Sequence, residues 1–223
     1  MKREKNKKPL IETLLNKQEL EKITRNIQKQ SPYPNKVKII SVTKKQPYKA
    51  IKEAYLEGIK NIGENRIQEI EKKIKNKKIP QDLNIHLIGH LKRNKAKKAV
   101  TLCNYIQSID SIKIAKKVNK EAEKKNKKQK IYLQINIGED TQKHGFKKTE
   151  IYKKHQKIKE MKNLEICGIM TILPKTKNTK HAEGLYSQME KISKALKKEN
   201  RSCKEISMGM SNDYMLAIKA GAT

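Results

Sequence analysis

Hydrophobic and polar positions along this chain fall into two rhythms that take turns. Over residues 8–30, Leu10, Leu14, Leu15, Leu20 and Ile23 recur near helical spacing, with no proline after Pro9. That pattern predicts a leading helix, which the turn-forming "SPYPN" at 31–35 should end. Beyond it, short runs rich in isoleucine and valine predict strands within 37–43, 60–65, 84–89, 105–110, 130–137, 164–173 and 204–210. Between and after them lie segments of helical period, at 47–58, 66–77, 92–103, 111–125, 148–161, 181–199 and 212–222. The first of these opens on Pro47 and closes on Gly58, the asymmetry a helix prefers at its two ends.

Seven strand–helix units joined by short connections predict a parallel sheet covered by helices. An open doubly wound sheet and a closed (β/α)₈ barrel both satisfy that pattern. The open form usually carries a G-x-G-x-x-G turn after its first strand, and here the sequence offers "TKKQP" instead. A barrel distributes its chemistry over many strand C-termini. Polar residues and turn glycines recur at those places, namely Lys44, Glu64, Asn65, Gly89, His90, Asp110, Asn136, Thr171 and Ser211. The expected fold is therefore α/β, a TIM-type barrel with an extra N-terminal helix, one strand short of eight, forming one domain over residues 1–223.

The formal charge of +31 raises the question of a nucleic-acid partner. Almost all of the positive charge is lysine, since arginine stands only at 3, 25, 66, 93 and 201. A surface built to read nucleic acid favours arginine for bidentate contacts and aromatic rings for stacking. Tryptophan is absent, Phe146 is the one phenylalanine, and the lysines run through the whole chain. Biased codon usage accounts for this better than a dedicated surface, so no specific nucleic acid is expected. No apolar run is long enough to cross a membrane, and no signal peptide is legible, which makes the cytoplasm the expected location. Cys103, Cys167 and Cys203 lie far apart and read as buried or incidental thiols. His86 and His90 stand four apart, but on a strand and its exit rather than a helix, so no metal site is expected.

Individual stretches admit ordinary readings. In "SMGMSND" (207–213), Gly209 allows close backbone approach, and Ser211 before a helix opened by Asn212 can hold an anion or serve as a plain cap. Taken together, "SVTKKQP", "GENRIQE", "HLIGHLKRNK", "QINIGEDTQKHGF", "GIMTILP" and "SMGMSND" resemble, in order and spacing, the YggS/PROSC family of pyridoxal-phosphate-binding homeostasis proteins. The resemblance runs from about residue 8 to the end. It implies the fold-type III barrel of alanine racemase standing alone, binding pyridoxal 5'-phosphate and helping maintain its cellular supply without established turnover. Dependent apo-enzymes would be its partners and a monomer its expected state.

The family motif A-V-S-K-T-K-P places the cofactor's Schiff base on Lys44, with Lys45 a bystander. Strand parity puts Lys44 on the face of Ile40 and Val42, and Lys45 on that of Ser41 and Thr43, without telling which face is inside. The resemblance further implies that Ser211 and the amides around it, Gly209 and Met210 included, contact the cofactor phosphate. Asn65 and the strand end at 86–89, with His86, would line the ring. Lys143 matches a family lysine and reads either as a lid amine or as a solvated loop residue. One departure is plain, because members continue into an eighth strand of the type R-I-G-T-A-I-F-G, whereas this chain reads "AIKAGAT". An unpaired edge between the first and seventh strands is expected, together with weaker phosphate binding. An amino-acid racemase is the alternative function, set back by the need for two opposed bases.

Overall fold

Alternation in the sequence becomes alternation in space. A computed structural model describes residues 13–174, 176 and 178–223. Its strands are β1 (Ile40–Val42), β2 (Asn61–Glu64), β3 (Asn84–Leu87), β4 (Tyr105–Ile109), β5 (Gln129–Gln134), β6 (Leu164–Met170) and β7 (Glu205–Ser207). The helices are α1 (Lys17–Gln30), α2 (Tyr48–Leu56), α3 (Ile67–Ile74), α4 (Ala96–Leu102), α5 (Ile112–Glu123), α6 (Ile151–Lys159), α7 (Thr179–Glu199) and α8 (Tyr214–Lys219). All strand pairings are parallel and the strand order follows the chain from β1 to β7.

The sheet curls. Ser207 on β7 donates to Gln107 on β4 at 2.7 Å, and Tyr132 on β5 donates to Glu205 on β7. Such bonds between strands that are not neighbours require the sheet to wrap around a lumen. One-residue register shifts against β5 occur on β4, between Ile106 and Ile109, and on β6, opposite Ile131 and Tyr132. Irregularities of this kind increase local bending and twist. Gly168 permits the contact between β6 and β7, because a Cβ there would stand 1.9 Å from the Glu205 carbonyl oxygen.

The two faces differ in chemistry. Outward-facing Ile62, Leu87, Ile106, Ile131, Leu133, Ile169 and Ile206 are buried. Most of them meet Ile70, Val100, Val118, Ile158, Leu185 and Met189 of the covering helices in one large apolar cluster. Burying each branched side chain contributes about 1.5–3 kcal/mol, so this outer layer is the main source of stability. The inner face is largely polar.

No eighth strand occurs among the described residues, and β1 and β7 are not paired with each other. The expected open edge is nevertheless bridged at its N-terminal end. Thr223 donates its backbone N–H to Ile206, accepts from Ile206 N–H through its hydroxyl, and accepts from Lys38 N–H at 2.7 Å through its carbonyl. The Lys38–Glu205 ion pair crosses the same seam at 2.5 Å. Helix α1 lies nearby, touching α8 through Asn26 and Tyr214 and packing Leu20 against the cluster under α2.

The leading helix is shorter than the sequence pattern suggested. Its expected first turn at 8–12 lies outside the described residues, and 13–16 are not helical. Glu53 on α2 accepts the backbone amides of Leu14 and Leu15, which fixes that stretch across another helix. Asn16 then caps α1 by accepting from Glu19 N–H. Strands also end earlier than their apolar runs, because those runs continue into the exit loops that form the barrel mouth.

Candidate functional site at the barrel mouth

Parity, unresolved in the sequence, is settled by neighbours. A Cβ on Gly63 would meet Ile40, Val42 and Ile88, and Gly63 is registered between Val42 and His86. His86 faces the lumen, so Ile40 and Val42 do as well. Thr43 is buried on the outer side, and Lys44 follows it in the exposed turn that leaves β1.

The two lysines of "KK" occupy different positions of one turn. Gln46 N–H bonds to the Thr43 carbonyl at 3.0 Å, with Lys44 and Lys45 between them. Lys45 takes φ +62°, a left-handed conformation costly for a side chain with a Cβ. Its N–H is held by Glu69 of α3 at 2.9 Å. Thr43 is fixed from below by a buried ion pair. Lys73 of α3 donates to Glu64 and to the Thr43 carbonyl, each at 2.5 Å, and the Thr43 hydroxyl donates to Glu64 at 2.6 Å. The side chains of Lys73 and Glu64 are 9% and 1% exposed. The base of the Lys44 turn is thus anchored to α3 and β2 together.

The remaining candidates surround the opening at different depths. Asn65 follows β2, half-buried, and its backbone packs so closely on Gly89 that a Cβ there would lie 2.3 Å from the Asn65 carbonyl. Gly209 has φ +90°, and a Cβ would sit 2.7 Å from that of Ala217, so only glycine fits this turn. Met210 and Ser211 are exposed beyond it. Apolar Val42, Ile172 and Met210, 45%, 39% and 46% exposed, stand at the exits of β1, β6 and β7.

Two expectations change here. Asn212 does not open the last helix; Asp213 occupies the N-cap and Tyr214 is the first helical residue. The Asp213 carboxylate accepts the Met210 N–H at 2.5 Å, so an acidic group already engages one of the amides assigned to an anion. Lys143 is neither a free lid amine nor a solvated loop residue. It donates to the carbonyls of Leu173 at 2.6 Å and Ile172 at 3.2 Å, tying the loop after β5 to the exit of β6, and burial lowers its pKa.

His86 lies deeper than the mouth. Its Nδ1 accepts from Gln107 at 2.9 Å, which leaves the proton on Nε2, facing Asn61 Oδ1 at 3.1 Å. Gln107 continues to Ser207, so a polar chain from β2 to β7 crosses the lumen. Tyr105 stacks on the imidazole at 4.4 Å, and burial pushes the His86 pKa down to about 3. His86 is therefore a neutral spacer of the lumen with both ring nitrogens engaged. Alternating hydrophobic and polar letters could mark a two-faced strand, but not this network, whose partners are brought together only by the curl. The three cysteines are buried and unpaired, and burial pushes each thiol up to about 12.

A parallel barrel with a lysine at its first strand exit and a glycine-shaped turn at its last belongs to the alanine racemase N-terminal class, whose family model matches residues 16–223. The pyridoxal phosphate homeostasis protein of Synechocystis is 39% identical over 191 residues, covering 85% of this chain and 88% of that protein. The Aquifex aeolicus protein of the same name is 32% identical over 205 residues, covering 92% and 90%. This chain belongs to the YggS/PROSC family of pyridoxal phosphate homeostasis proteins. PipY of Synechococcus elongatus superposes with TM-score 0.81 at 32% identity without pyridoxal phosphate, covering 90% of this chain and 95% of PipY. Its cofactor-bound form superposes with TM-score 0.75 at 28% identity over the same shares. An alanine racemase of Clostridium difficile shares the fold, with TM-score 0.71 and 16% identity; this chain covers 51% of it.

Proposed function

We propose that this chain binds pyridoxal 5'-phosphate through Lys44 and takes part in maintaining the supply of that cofactor. The observation that supports the reading is the exposed turn at the β1 exit that carries Lys44, its base anchored at Thr43 by Glu64 and Lys73. The residues fit the group. An exposed amine follows β1, exposed apolar side chains stand at the exits of β1, β6 and β7, and the turn at Gly209 after β7 is too tight for a Cβ. Family membership supports the same assignment.

In this reading Lys44 supplies the amine that holds the cofactor aldehyde as a Schiff base. Ser211, with the backbone at Gly209 and Met210, holds the phosphate, and Asn65 borders the ring. When bound, the cofactor brings an electron-withdrawing ring conjugated to that linkage. Thr43, Glu64 and Lys73 orient the lysine without reaching the ligand. Asp213 must yield the Met210 amide, or leave it out of the phosphate contacts. The chain acts as one monomeric domain in the cytoplasm and passes cofactor to dependent apo-enzymes. No described helix is long and apolar enough to cross a membrane.

The protein works as a holder rather than a catalyst. Its matched relatives are named for homeostasis, and racemisation needs two opposed bases across the α-carbon. Reconstitution with pyridoxal phosphate should produce the visible absorbance of a Schiff base. That absorbance should vanish in Lys44→Ala and persist in Lys45→Ala, and borohydride should fix the cofactor's mass on Lys44. A colourless protein, or fixation on Lys45, would overturn the assignment. Conversion of L- to D-alanine by the reconstituted protein would overturn the non-catalytic role.

A further inference from the structure

We propose a second site at the mouth, on the β3–β5 side, which binds a divalent transition-metal ion through His90, Asp110 and His144. These residues follow three successive strands and offer one ligand atom each, all within 4.8 Å of one another. His90 Nδ1 lies 2.9 Å from Asp110 Oδ2, and His144 Nδ1 lies 3.8 Å from the same oxygen. The imidazoles stack with centroids 3.7 Å apart and planes 12° from parallel. Two imidazoles and one carboxylate form the donor set that suits zinc, ferrous iron, cobalt or nickel, leaving positions open for water or another ligand.

Each donor rests on a fixed support. Gly89 packs directly on the Asn65 backbone, which places His90. Asp110 precedes Ser111, whose hydroxyl caps α5 by accepting from Ile114 N–H. The loop bearing His144 is pinned by Gln134, which donates to the His144 carbonyl at 3.0 Å, and by Asn136, which donates to the Asp140 carbonyl at 2.8 Å. Gly145 completes the fit, since a Cβ there would lie 2.5 Å from Asn136 N. Only the rings need to move. Parallel stacking must open for both nitrogens to aim at one ion, and the two side chains, 37% and 57% exposed, have solvent into which to turn.

Lys92, Arg93, Lys113 and Lys143 line the same hollow. Their charge weakens the hold on a bare cation and draws an anion into its open positions. The occupant is accordingly a metal ion carrying water or a small anion. None of the three donors is a residue assigned to pyridoxal phosphate, so either site can fail alone.

The test titrates the full chain, free of added cofactor, with cobalt(II) and follows the visible bands of the bound ion. One ion per chain should bind, and zinc should displace it. His144→Ala and His90→Gln should each weaken binding about tenfold or more, while His181→Ala leaves it unchanged. His144 is exposed, so its truncation should leave the circular dichroism spectrum intact. Absence of saturable cobalt binding, or undiminished binding in both His144→Ala and His90→Gln, would overturn the site.

Discussion

Replacing Lys73 by methionine should be among the most damaging single changes available outside the apolar layer. The substitution keeps most of the volume but removes the ammonium from a pair at 2.5 Å whose members are 9% and 1% exposed. Glu64 would then keep a carboxylate with no cationic partner and with Oε2 already lacking any hydrogen bond. Breaking a buried pair from one side costs about 3–5 kcal/mol, a large share of the roughly 5–15 kcal/mol that stabilises a typical protein. At about 2–4 °C per kcal/mol for a chain of this size, the melting temperature should drop by roughly 6–20 °C. Urea unfolding followed by circular dichroism supplies the free energy. Glu64→Gln combined with Lys73→Met removes both charges and retains an acceptor for the Thr43 hydroxyl, so it should recover most of the loss. The Schiff-base absorbance should follow the same order, because Lys73 also holds the Thr43 carbonyl beneath Lys44. A Lys73→Met cost below about 1 kcal/mol, or a double variant no better than the single, would refute the argument.

Other expectations are narrower. Lys45→Gly should be more stable than Lys45→Ala by about 1 kcal/mol, since glycine removes the left-handed strain at φ +62°; equal urea midpoints would argue against strain there. His86 bears on acid stability. Its folded pKa falls from 6.5 to about 3, so the unfolded chain takes up a proton in that interval and the folded chain does not. Stability is unaffected above pH 6.5 and declines by about 1.4 kcal/mol per unit as the pH falls towards 3. Desolvated His155 acts in the same direction. His86→Gln should flatten the urea-midpoint profile below pH 6.5, and an unchanged slope would count against a neutral buried imidazole. Gly209→Ala should lower both melting temperature and cofactor affinity, because its Cβ would meet Ala217 at 2.7 Å; a melting curve matching the parent would show that the turn relaxes easily.

Element type was legible because each strand run and helix period repeats often enough to fix its identity. Boundaries were less so. Leu10, Leu14 and Leu15 carry helical spacing, yet Glu53 captures two amides at 14 and 15, a contact set by an acidic residue some forty positions away. Lys44, Asn65 and Ser211 follow the C-terminal ends of β1, β2 and β7, which a parallel barrel delivers to one side. What lies between those exits was hidden. The i,i+4 spacing of His86 and His90, on a strand and its exit, does not make them a pair, but no signal in the sequence shows that His90 joins Asp110 and His144 from later loops. Asp213 looked like an ordinary member of the final helix until the turn at Gly209 brought its carboxylate to Met210 N–H. Contacts between distant loops leave no periodic trace.

Both lysines of the β1 exit turn are exposed. An indiscriminate acylating reagent would therefore label Lys44 and Lys45 alike, and accessibility alone gives the protein no means of telling one amine from its neighbour. Selectivity must come from the second anchor of a bidentate ligand. A small monofunctional aldehyde would sample either residue. If the phosphate is held near Gly209 as proposed, an aldehyde that also carries one would be restrained there, and the geometry of this single turn would decide which of the two amines it reaches. Thr43 and Lys45, one buried and the other twisted aside, thus act as an address written in backbone geometry.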